Sequence, residues 1–364
     1  MNVEPSTKAS KTIIKGVNSK QIQQRPNNVS EIELEETKSA NYDDKIVLSP
    51  KKKQYSPEYC KQAQARSTIT LTFGDQAENH RGMQKLGELA DEGFSIQDLE
   101  EAKRKFEAKG CVCELVDLNT VLFDTLIEGE QAKVLIARKG IDLLNETLDS
   151  DKLFEEQVNL EWDTKAFMYG QVRNKHARNN LCYGEESQNP DYTCGKGRIV
   201  AFSEIPYTQL VRKHLGDLFG EKGKDLVAEG NYYYDVKECG IGYHRDTERK
   251  KVIGVRLGAS IPLHYQWFLQ GEPIGKRVEL ILNHGDIYVM SEKASGFDWR
   301  TKKKPTLRHA AGAKKFLTIK VKKTKRKEKN DKKKKKANED EDGDEEEEEV
   351  PKITKQSKKV KKNK

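Results

Sequence analysis

The sequence predicts an α+β protein whose core is a double-stranded β-helix, or jelly roll, with an N-terminal α/β extension and disordered tails. Residues 231–320 contain short apolar runs separated by Gly, Pro and Asp turns, without helical periodicity. His244 and Asp246 lie two residues apart, and His309 follows much later. These three side chains can converge only if the sheet folds back on itself, as it does in a jelly roll.

Composition divides the chain into four segments. Residues 1–54 are rich in Ser, Lys, Gln, Asn and Glu and poor in aromatic residues, which predicts a disordered tail. Residues 55–172 form the predicted extension that packs on the core, and residues 173–322 form the core itself. Residues 323–364 carry basic, acidic and again basic blocks, a pattern typical of disordered interaction tails.

The extension contains signals for both kinds of secondary structure. Residues 67–73 alternate Thr with apolar residues and predict a strand. A helix is predicted to begin after Ser95, whose side chain can cap it, and to end at Gly110. Cys111 and Cys113 have no matching second pair, so we interpret them as free thiols rather than zinc ligands.

The core contains further apolar runs that predict strands, because each is short and bounded by turn residues. They comprise residues 252–257, 262–268, 278–282, 287–290 and 315–321.

His244, Asp246 and His309 are the candidate metal ligands. Residues i and i+2 of an extended segment point the same way, so His244 and Asp246 can bind one metal from one strand end. Two histidines and one carboxylate form the facial ligand set of non-haem Fe(II) oxygenases. His284 lies in a turn before Gly285 and is the alternative for the distal ligand; we favour His309 because it follows the strand at 287–290.

The core resembles the AlkB-like family of Fe(II)/2-oxoglutarate dioxygenases. The family pattern of Asn-x-Tyr, His-x-Asp, Leu-Gly, Gly-Asp and a distal His is matched in order, at Asn231-x-Tyr233, His244-x-Asp246, Leu257-Gly258, Gly285-Asp286 and His309. The resemblance implies an enzyme that binds Fe(II), 2-oxoglutarate and O2. It also implies that Asn231 and Tyr233 contact the cosubstrate.

The chain departs from the family at the residues that bind the 2-oxoglutarate carboxylate. AlkB-like enzymes use two Arg residues on the final strand, whereas residues 314–320 contain no Arg. Lys314 and Lys320 occupy the matching positions, and Lys lacks the bidentate fork of Arg. Arg256, on the strand after His-x-Asp, is the other candidate, and it needs a partner if it is buried.

A second block of resemblance lies at residues 178–192. Arg178, followed by Tyr183-Gly184-Glu185 and then Tyr192, resembles the nucleotide-recognition segment of AlkB-like enzymes, with Glu185 replacing an Asp. Recognition of a flipped base requires an aromatic ring for stacking and a basic residue for phosphate or a base edge. The resemblance therefore implies that Arg178, Tyr183 and Tyr192 bind substrate.

These observations lead to three hypotheses for function. The first is oxidative demethylation of alkylated nucleic-acid bases in DNA or RNA, as in repair. The second is a 2-oxoglutarate-dependent hydroxylase of a protein or small molecule, and the third is a non-catalytic jelly-roll module that binds nucleic acid. The resemblance of residues 178–192 to the nucleotide-recognition segment favours the first hypothesis over the second. The complete ligand triad argues against the third.

The sequence also sets expectations for location and partners. It contains no secretion signal and no apolar run long enough to span a membrane, so we expect an intracellular protein of the cytoplasm or nucleus. A monomer that binds nucleic acid is expected. Because the net charge of +8 is carried largely by the C-terminal tail, charge alone is weak evidence for such a partner.

Overall fold

A computed structural model describes residues 54–122, 130–301 and 303–319. The predicted C-terminal tail, nearly all of the predicted N-terminal tail, and Lys320 lie outside these described residues.

The described chain is a mixed α+β structure dominated by β-sheets, which confirms the predicted class. The helices are α1 (Pro57–Arg66), α2 (Ile96–Ala108), α3 (Gly140–Leu144), α4 (Ser150–Val158), α5 (Pro206–Phe219) and α6 (Glu292–Ser295). The first eight strands are β1 (Thr68–Gly74), β2 (Gln76–Glu78), β3 (Lys85–Gly87), β4 (Cys113–Asp117), β5 (Lys133–Ala137), β6 (Lys165–Met168), β7 (Gln171–Asn174) and β8 (Asn179–Gly184). The others are β9 (Ile199–Ala201), β10 (Val227–Tyr233), β11 (Gly240–His244), β12 (Val252–Gly258), β13 (Leu263–Leu269), β14 (Glu272–Leu280), β15 (Ile287–Met290) and β16 (Thr306–Gly312).

Eight strands form the larger sheet in the order β4-β5-β15-β12-β1-β10-β8-β9. Strand β1 lies at its centre, antiparallel to both β10 and β12. The domain boundary predicted after residue 172 therefore does not divide this sheet, because β1, β4 and β5 precede the boundary and still pair within it.

The smaller sheet has the order β11-β16-β13-β14 and is antiparallel throughout. Two two-stranded sheets, β2-β3 and β6-β7, accompany it.

One face of the larger sheet packs against helices α1 to α5. On β1 the apolar residues Ile69, Leu71 and Phe73 belong to this helical core, while Thr68, Thr70 and Thr72 alternate with them and point to the other face. Helix α2 begins as predicted: Ser95 Oγ accepts from the Asp98 backbone N–H, and the Asp98 carboxylate accepts from the Ser95 backbone N–H at 2.7 Å.

The opposite face of the larger sheet shares a second apolar cluster with the smaller sheet. This cluster contains Val252 and Tyr288 from the larger sheet and Tyr265, Trp267 and Leu307 from the smaller sheet. We call the space between the two sheets the interior. Any side chain on this face of β10, β12, β13 or β16 points into it.

The strand predicted at residues 315–321 is wrong for the part described. Residues Lys314–Phe316 form a 3-10 turn after β16, with Leu317 N–H donating to Lys314 O at 3.1 Å. The physical reason is the contact of the Phe316 ring with Gly240, where the absence of a side chain makes room for the ring. Within the described residues, no helix combines the length and apolar character needed to cross a membrane.

Candidate metal centre

The ends of two paired strands bring the three predicted ligands together. His244 is the last residue of β11 and lies directly opposite His309 on β16, so their rings are on the same face. The ring centroids are 4.3 Å apart at 65°. Asp246 follows β11, and its backbone N–H donates to Ser295 O at 3.0 Å. The ligand atoms of the three residues lie within 4.8 Å of one another, close enough to hold one metal ion.

Hydrogen bonding leaves the histidines in a form that can bind a metal. His244 Nδ1 lies 2.9 Å from the carbonyl oxygen of Gly242, so Nδ1 is the protonated nitrogen and Nε2 keeps its lone pair. His309 Nε2 lies 3.8 Å from Asp246 Oδ2. The pKa of His309 is well below its usual range, because burial and the charges of His244 and Arg249 disfavour the imidazolium.

The Asp246 carboxyl is nearly fully buried. Burial raises its pKa well above the usual range, Glu248 adds to this effect, and Arg249 opposes it. A bound cation favours the ionised form of this carboxyl and so opposes the effect of burial.

Arg249 offsets the negative charge around Asp246. Its side chain is 3% exposed and pairs with Glu229 and with Glu248, the latter at 2.6 Å. These buried pairs hold the segment after Asp246 against β10, because Glu229 is a β10 residue.

A row of polar residues crosses the larger sheet and points into the interior. Arg256 on β12 is opposite Thr70 on β1, Thr70 is opposite Asn231 on β10, and Asn231 is opposite Asn180 on β8. Arg256 Nε and Nη1 and Thr70 Oγ1 are buried and find no hydrogen-bond partner in the described part of the chain. Each such group carries a penalty of about 1–3 kcal/mol unless a ligand supplies a partner.

The smaller sheet adds a further group of this kind. Tyr265 lies opposite His309 on the neighbouring strand, and the ring centroids are 5.7 Å apart. The Tyr265 hydroxyl and His309 Nδ1 are also buried without a partner among the described residues. Burial raises the pKa of Tyr288 to about 12, and the charges of Arg256 and Asp246 also act on this pKa. Arg256 and Asp246 therefore both lie near this interior ring.

Comparison with known proteins identifies a close relative of this chain, although no family model matches it. The relative is "Uncharacterized protein R156" of Acanthamoeba polyphaga mimivirus. The two sequences are 49% identical over 253 residues, which cover 69% of this chain and 98% of the viral protein. The chain belongs to the R156 family.

In this R156 family member, the residues predicted to contact the cosubstrate lie in the interior. The Asn231 Oδ1 atom accepts from Arg178 Nε and Asn180 Nδ2, each at 2.7 Å, and its Nδ2 donates to Glu229. Its amide oxygen therefore accepts two hydrogen bonds, and its amide nitrogen donates one, within the protein. Tyr233 is buried on the same face of β10, and Arg178 and Arg256 both act on its pKa, which burial raises.

Two of the predicted substrate residues are placed elsewhere. The Tyr183 ring is fully buried in the helical core, where its hydroxyl donates to Gln157 Oε1 at 2.5 Å, so the prediction that it stacks on a base is wrong. Strand β8 directs Asn180 and Cys182 to the interior and therefore Leu181 and Tyr183 to the helices. The Tyr192 hydroxyl donates to Asp163 Oδ1 at 2.7 Å, and its ring packs on Met83, Ala166 and Met168.

His284, the alternative distal ligand, and Lys314, a predicted cosubstrate anchor, are not part of the metal centre. His284 Nδ1 accepts from the Gly258 backbone N–H at 2.8 Å, and His284 Nε2 faces Asp151 at 3.1 Å, so both ring nitrogens have structural roles. Lys314 is exposed on the 3-10 turn, not on a strand that faces the interior, which contradicts its predicted role as a cosubstrate anchor. Lys320 lies outside the described residues.

The sequence interpretation missed Thr70, Arg249 and Tyr265. One signal for Thr70 was present: in residues 67–73 the Thr positions alternate strictly with apolar ones, so one face of a buried strand had to be polar. Tyr265 is two residues from both Leu263 and Trp267, so all three side chains share the face of β13 that points into the interior.

Proposed function

We propose that the two sheets form a double-stranded β-helix and that this chain is an Fe(II)- and 2-oxoglutarate-dependent dioxygenase of the AlkB-like kind. The observation that carries the proposal is the convergence of His244, Asp246 and His309 at the ends of two paired strands, with His309 and Asp246 buried. A binding module that performs no chemistry does not require such a ligand set, which disfavours the non-catalytic alternative.

The buried N–H groups of Arg256 support the choice of cosubstrate. A guanidinium whose Nε and Nη1 lack acceptors among the described residues can donate charge-assisted hydrogen bonds to the oxygens of a carboxylate. Thr70 Oγ1, opposite Arg256, can donate a third. Because 2-oxoglutarate carries a carboxylate at each end, Arg256 would bind one carboxylate and the metal held by the triad would bind the 2-oxo acid end.

In this proposal Fe(II), 2-oxoglutarate and O2 supply the oxidation of a C–H bond, and the protein supplies binding and geometry. His244, Asp246 and His309 would hold the Fe(II). Arg256 orients the dicarboxylate. The aromatic cluster between the sheets excludes water, and Arg249 prevents the acidic side chains near Asp246 from accumulating uncompensated negative charge.

Demethylation of alkylated nucleic-acid bases is the reaction we propose, on the strength of the family resemblance in the core. Hydroxylation of a protein or small molecule is the alternative, because burial of Tyr183 removes one residue that favoured nucleic acid.

Single replacements of the ligands test the proposal. We expect His244→Ala, Asp246→Ala and His309→Ala each to abolish Fe(II)-dependent conversion of 2-oxoglutarate to succinate, with circular dichroism unchanged. His214→Ala is the matched control, because His214 lies on α5 and pairs with Asp217. Full turnover in a ligand variant, or none in the wild-type protein across methylated oligonucleotides and protein extracts, would contradict the proposal.

A further inference from the structure

The segment between α6 and β16 runs directly beside the metal centre. It begins at Ser295, whose carbonyl accepts from the Asp246 backbone N–H, and it ends in the strand that carries His309. At Gly296 the backbone has φ 79° and approaches so closely that a Cβ there would lie 2.9 Å from Arg245 Cβ. Arg245 itself stands between the ligands His244 and Asp246, so this segment is fixed against the ligand strand.

Aromatic rings in this segment are paired with cations. The Arg245 guanidinium lies 4.3 Å from the Trp299 ring centroid, and the Arg300 guanidinium lies 5.2 Å from it. Lys250 Nζ lies 5.3 Å from the centroid of the Phe297 ring. We call these five residues the cationic rim. Phe297 and Trp299 are half-buried and Arg300 is exposed, so the cationic rim is accessible from solvent.

Three acidic groups near the cationic rim are already paired, whereas the exposed Asp91 lies beside Lys250, whose Nζ donates to the Asp91 backbone oxygen at 2.6 Å. Asp298 binds Lys293, and the Glu292 carboxylate accepts from the Gly93 backbone N–H at 2.6 Å. Glu130 forms an exposed pair with Lys304 at 3.4 Å, a kind of contact that contributes little and exchanges readily. Lys303 next to it is exposed. Arg300 and Lys303 therefore add positive charge to the exposed surface beside the metal centre.

We propose that the cationic rim binds single-stranded nucleic acid, with Trp299 stacking on a base and Arg245, Lys250 and Arg300 contacting phosphates. Stacking platforms interleaved with basic residues are how proteins bind single strands without reading sequence. This inference rests on the proposed function. Arg245 lies in the chain between the ligands His244 and Asp246, so a single strand bound to the cationic rim would present a base to the metal centre. The proposal assigns to the cationic rim the role that Tyr183 cannot perform.

An acidic peptide is the other polyanion that the charge of the rim would attract. Nucleic acid is favoured because a base offers a flat π face to Trp299, whereas an acidic peptide would use only the cations. The two partners therefore differ in what they do to the Trp299 ring.

Intrinsic fluorescence can follow binding at the cationic rim in the full chain. The chain has three tryptophans, and Trp162 and Trp267 are buried, so Trp299 is the one that a ligand can reach. Quenching therefore reports contact with Trp299 at the cationic rim. We expect a short oligothymidylate to quench the fluorescence saturably, whereas heparin and poly-glutamate, which have no bases, leave it largely unchanged.

Variants separate stacking from charge. We expect Trp299→Leu to abolish the quenching and to weaken binding of a labelled oligothymidylate at least about fivefold, the lower limit for losing one stacked base. Arg300→Gln should weaken binding and reduce its salt dependence. Arg277→Gln is the matched control, because Arg277 is an exposed arginine 5.3 Å from a ring, that of Tyr243, outside the rim.

Equal quenching by heparin, or unchanged oligonucleotide affinity in both Trp299→Leu and Arg300→Gln, would overturn the inference. Because binding is measured without turnover, this result is distinct from failure of the proposed function. The latter would appear as wild-type protein that binds oligonucleotide but converts no 2-oxoglutarate.

Discussion

At the residue scale, the proposed role of Arg256 in binding 2-oxoglutarate gives a direct prediction. Arg256 is 1% exposed, and two of its N–H groups lack acceptors among the described residues. We expect Arg256→Met to raise the Kd for 2-oxoglutarate about 10- to 100-fold, because a hydrogen bond to a charged group contributes about 1.5–3 kcal/mol. Arg256→Lys should recover part of the affinity, since it keeps the charge but loses the fork. Calorimetry with Mn(II)-loaded protein measures both.

A monocarboxylic 2-oxo acid is the discriminating ligand for Arg256. Pyruvate lacks the distal carboxylate, so its weaker binding should be equal in wild-type protein and Arg256→Met. Lys314→Met is the control variant, because Lys314 is exposed. If Lys314→Met weakened 2-oxoglutarate binding and Arg256→Met did not, the assignment of Arg256 as the anchor would be wrong.

Lys175 makes the stability of the protein depend on pH. Its Nζ donates to Asn79 Oδ1 at 2.7 Å and Asn180 Oδ1 at 2.8 Å, yet burial lowers its pKa to about 7 from an ordinary value of 10.5. Between these values the unfolded chain holds a proton that the folded chain has released, so stability rises with pH. The rise is at most about 1.4 kcal/mol per pH unit.

Urea unfolding at pH 7, 8 and 9 tests this. The free energy of unfolding of the wild-type protein, relative to Lys175→Met, should increase across the series. Lys165→Met, at an exposed position on β6, should show no such trend. A constant difference for Lys175→Met would mean that the lysine has an ordinary pKa in the folded state.

The predicted convergence of His244, Asp246 and His309 is confirmed. Asp246 follows His244, the last residue of β11, by two positions, and the strand order brings His309 opposite His244. The prediction that Tyr183 stacks on a base was wrong because a shift of one residue along a strand moves a side chain to the opposite face of the sheet. β8 is buried on both sides, so its apolar composition could not indicate which face each residue takes.

At the element scale, the start of α2 gives a clear stability prediction. Ser95 and Asp98 cap each other reciprocally, and Lys222 Nζ binds the same carboxylate at 2.7 Å. We expect Ser95→Ala to lower the free energy of unfolding by about 1 kcal/mol, the usual loss for an N-cap. Chemical denaturation should show a lower midpoint with an unchanged slope.

Ser95→Thr, which keeps a capping hydroxyl, is the control and should lose much less. If both variants lost the same amount, packing around residue 95 rather than the cap would be responsible.

Strands that pair with adjacent strands of a sheet were predicted well from their apolar runs. β12, β13 and β15 agree closely with the apolar runs in the sequence. The last predicted strand was wrong because the ring of Phe316 packs on Gly240, a residue far away in the chain. A tertiary contact of this kind overrides local β propensity and leaves no mark in the local sequence.

At the scale of the whole molecule, metal binding should stabilise the fold. A ligand that binds only the folded state at 100 times its Kd adds about 2.7 kcal/mol. We therefore expect Mn(II), or Fe(II) without oxygen, to raise the Tm, and EDTA to reverse the rise.

Asp246→Asn is the matched variant for this effect. The side-chain amide of Asn cannot ionise to the carboxylate that a cation binds, so Asp246→Asn should abolish the metal-dependent rise in Tm. A rise that survived in Asp246→Asn would place the metal elsewhere.

The global arrangement of the sheets was only partly predictable. Alternating apolar runs established a β-rich core, but the predicted boundary after residue 172 assigned β1, β4 and β5 to a separate extension. Pairing between strands so far apart in the chain depends on non-local contacts, which single-sequence patterns do not report.

The central position of β1 has a consequence for how the chain is made. Both of its partners, β10 and β12, are synthesised much later. At about 5–20 residues per second, the roughly 180 residues between β1 and β12 take on the order of ten seconds to half a minute to emerge. During that time β1 is an unpaired segment with one apolar face on the ribosome, so a nascent chain of this protein is a natural client for chaperones that shield exposed strands.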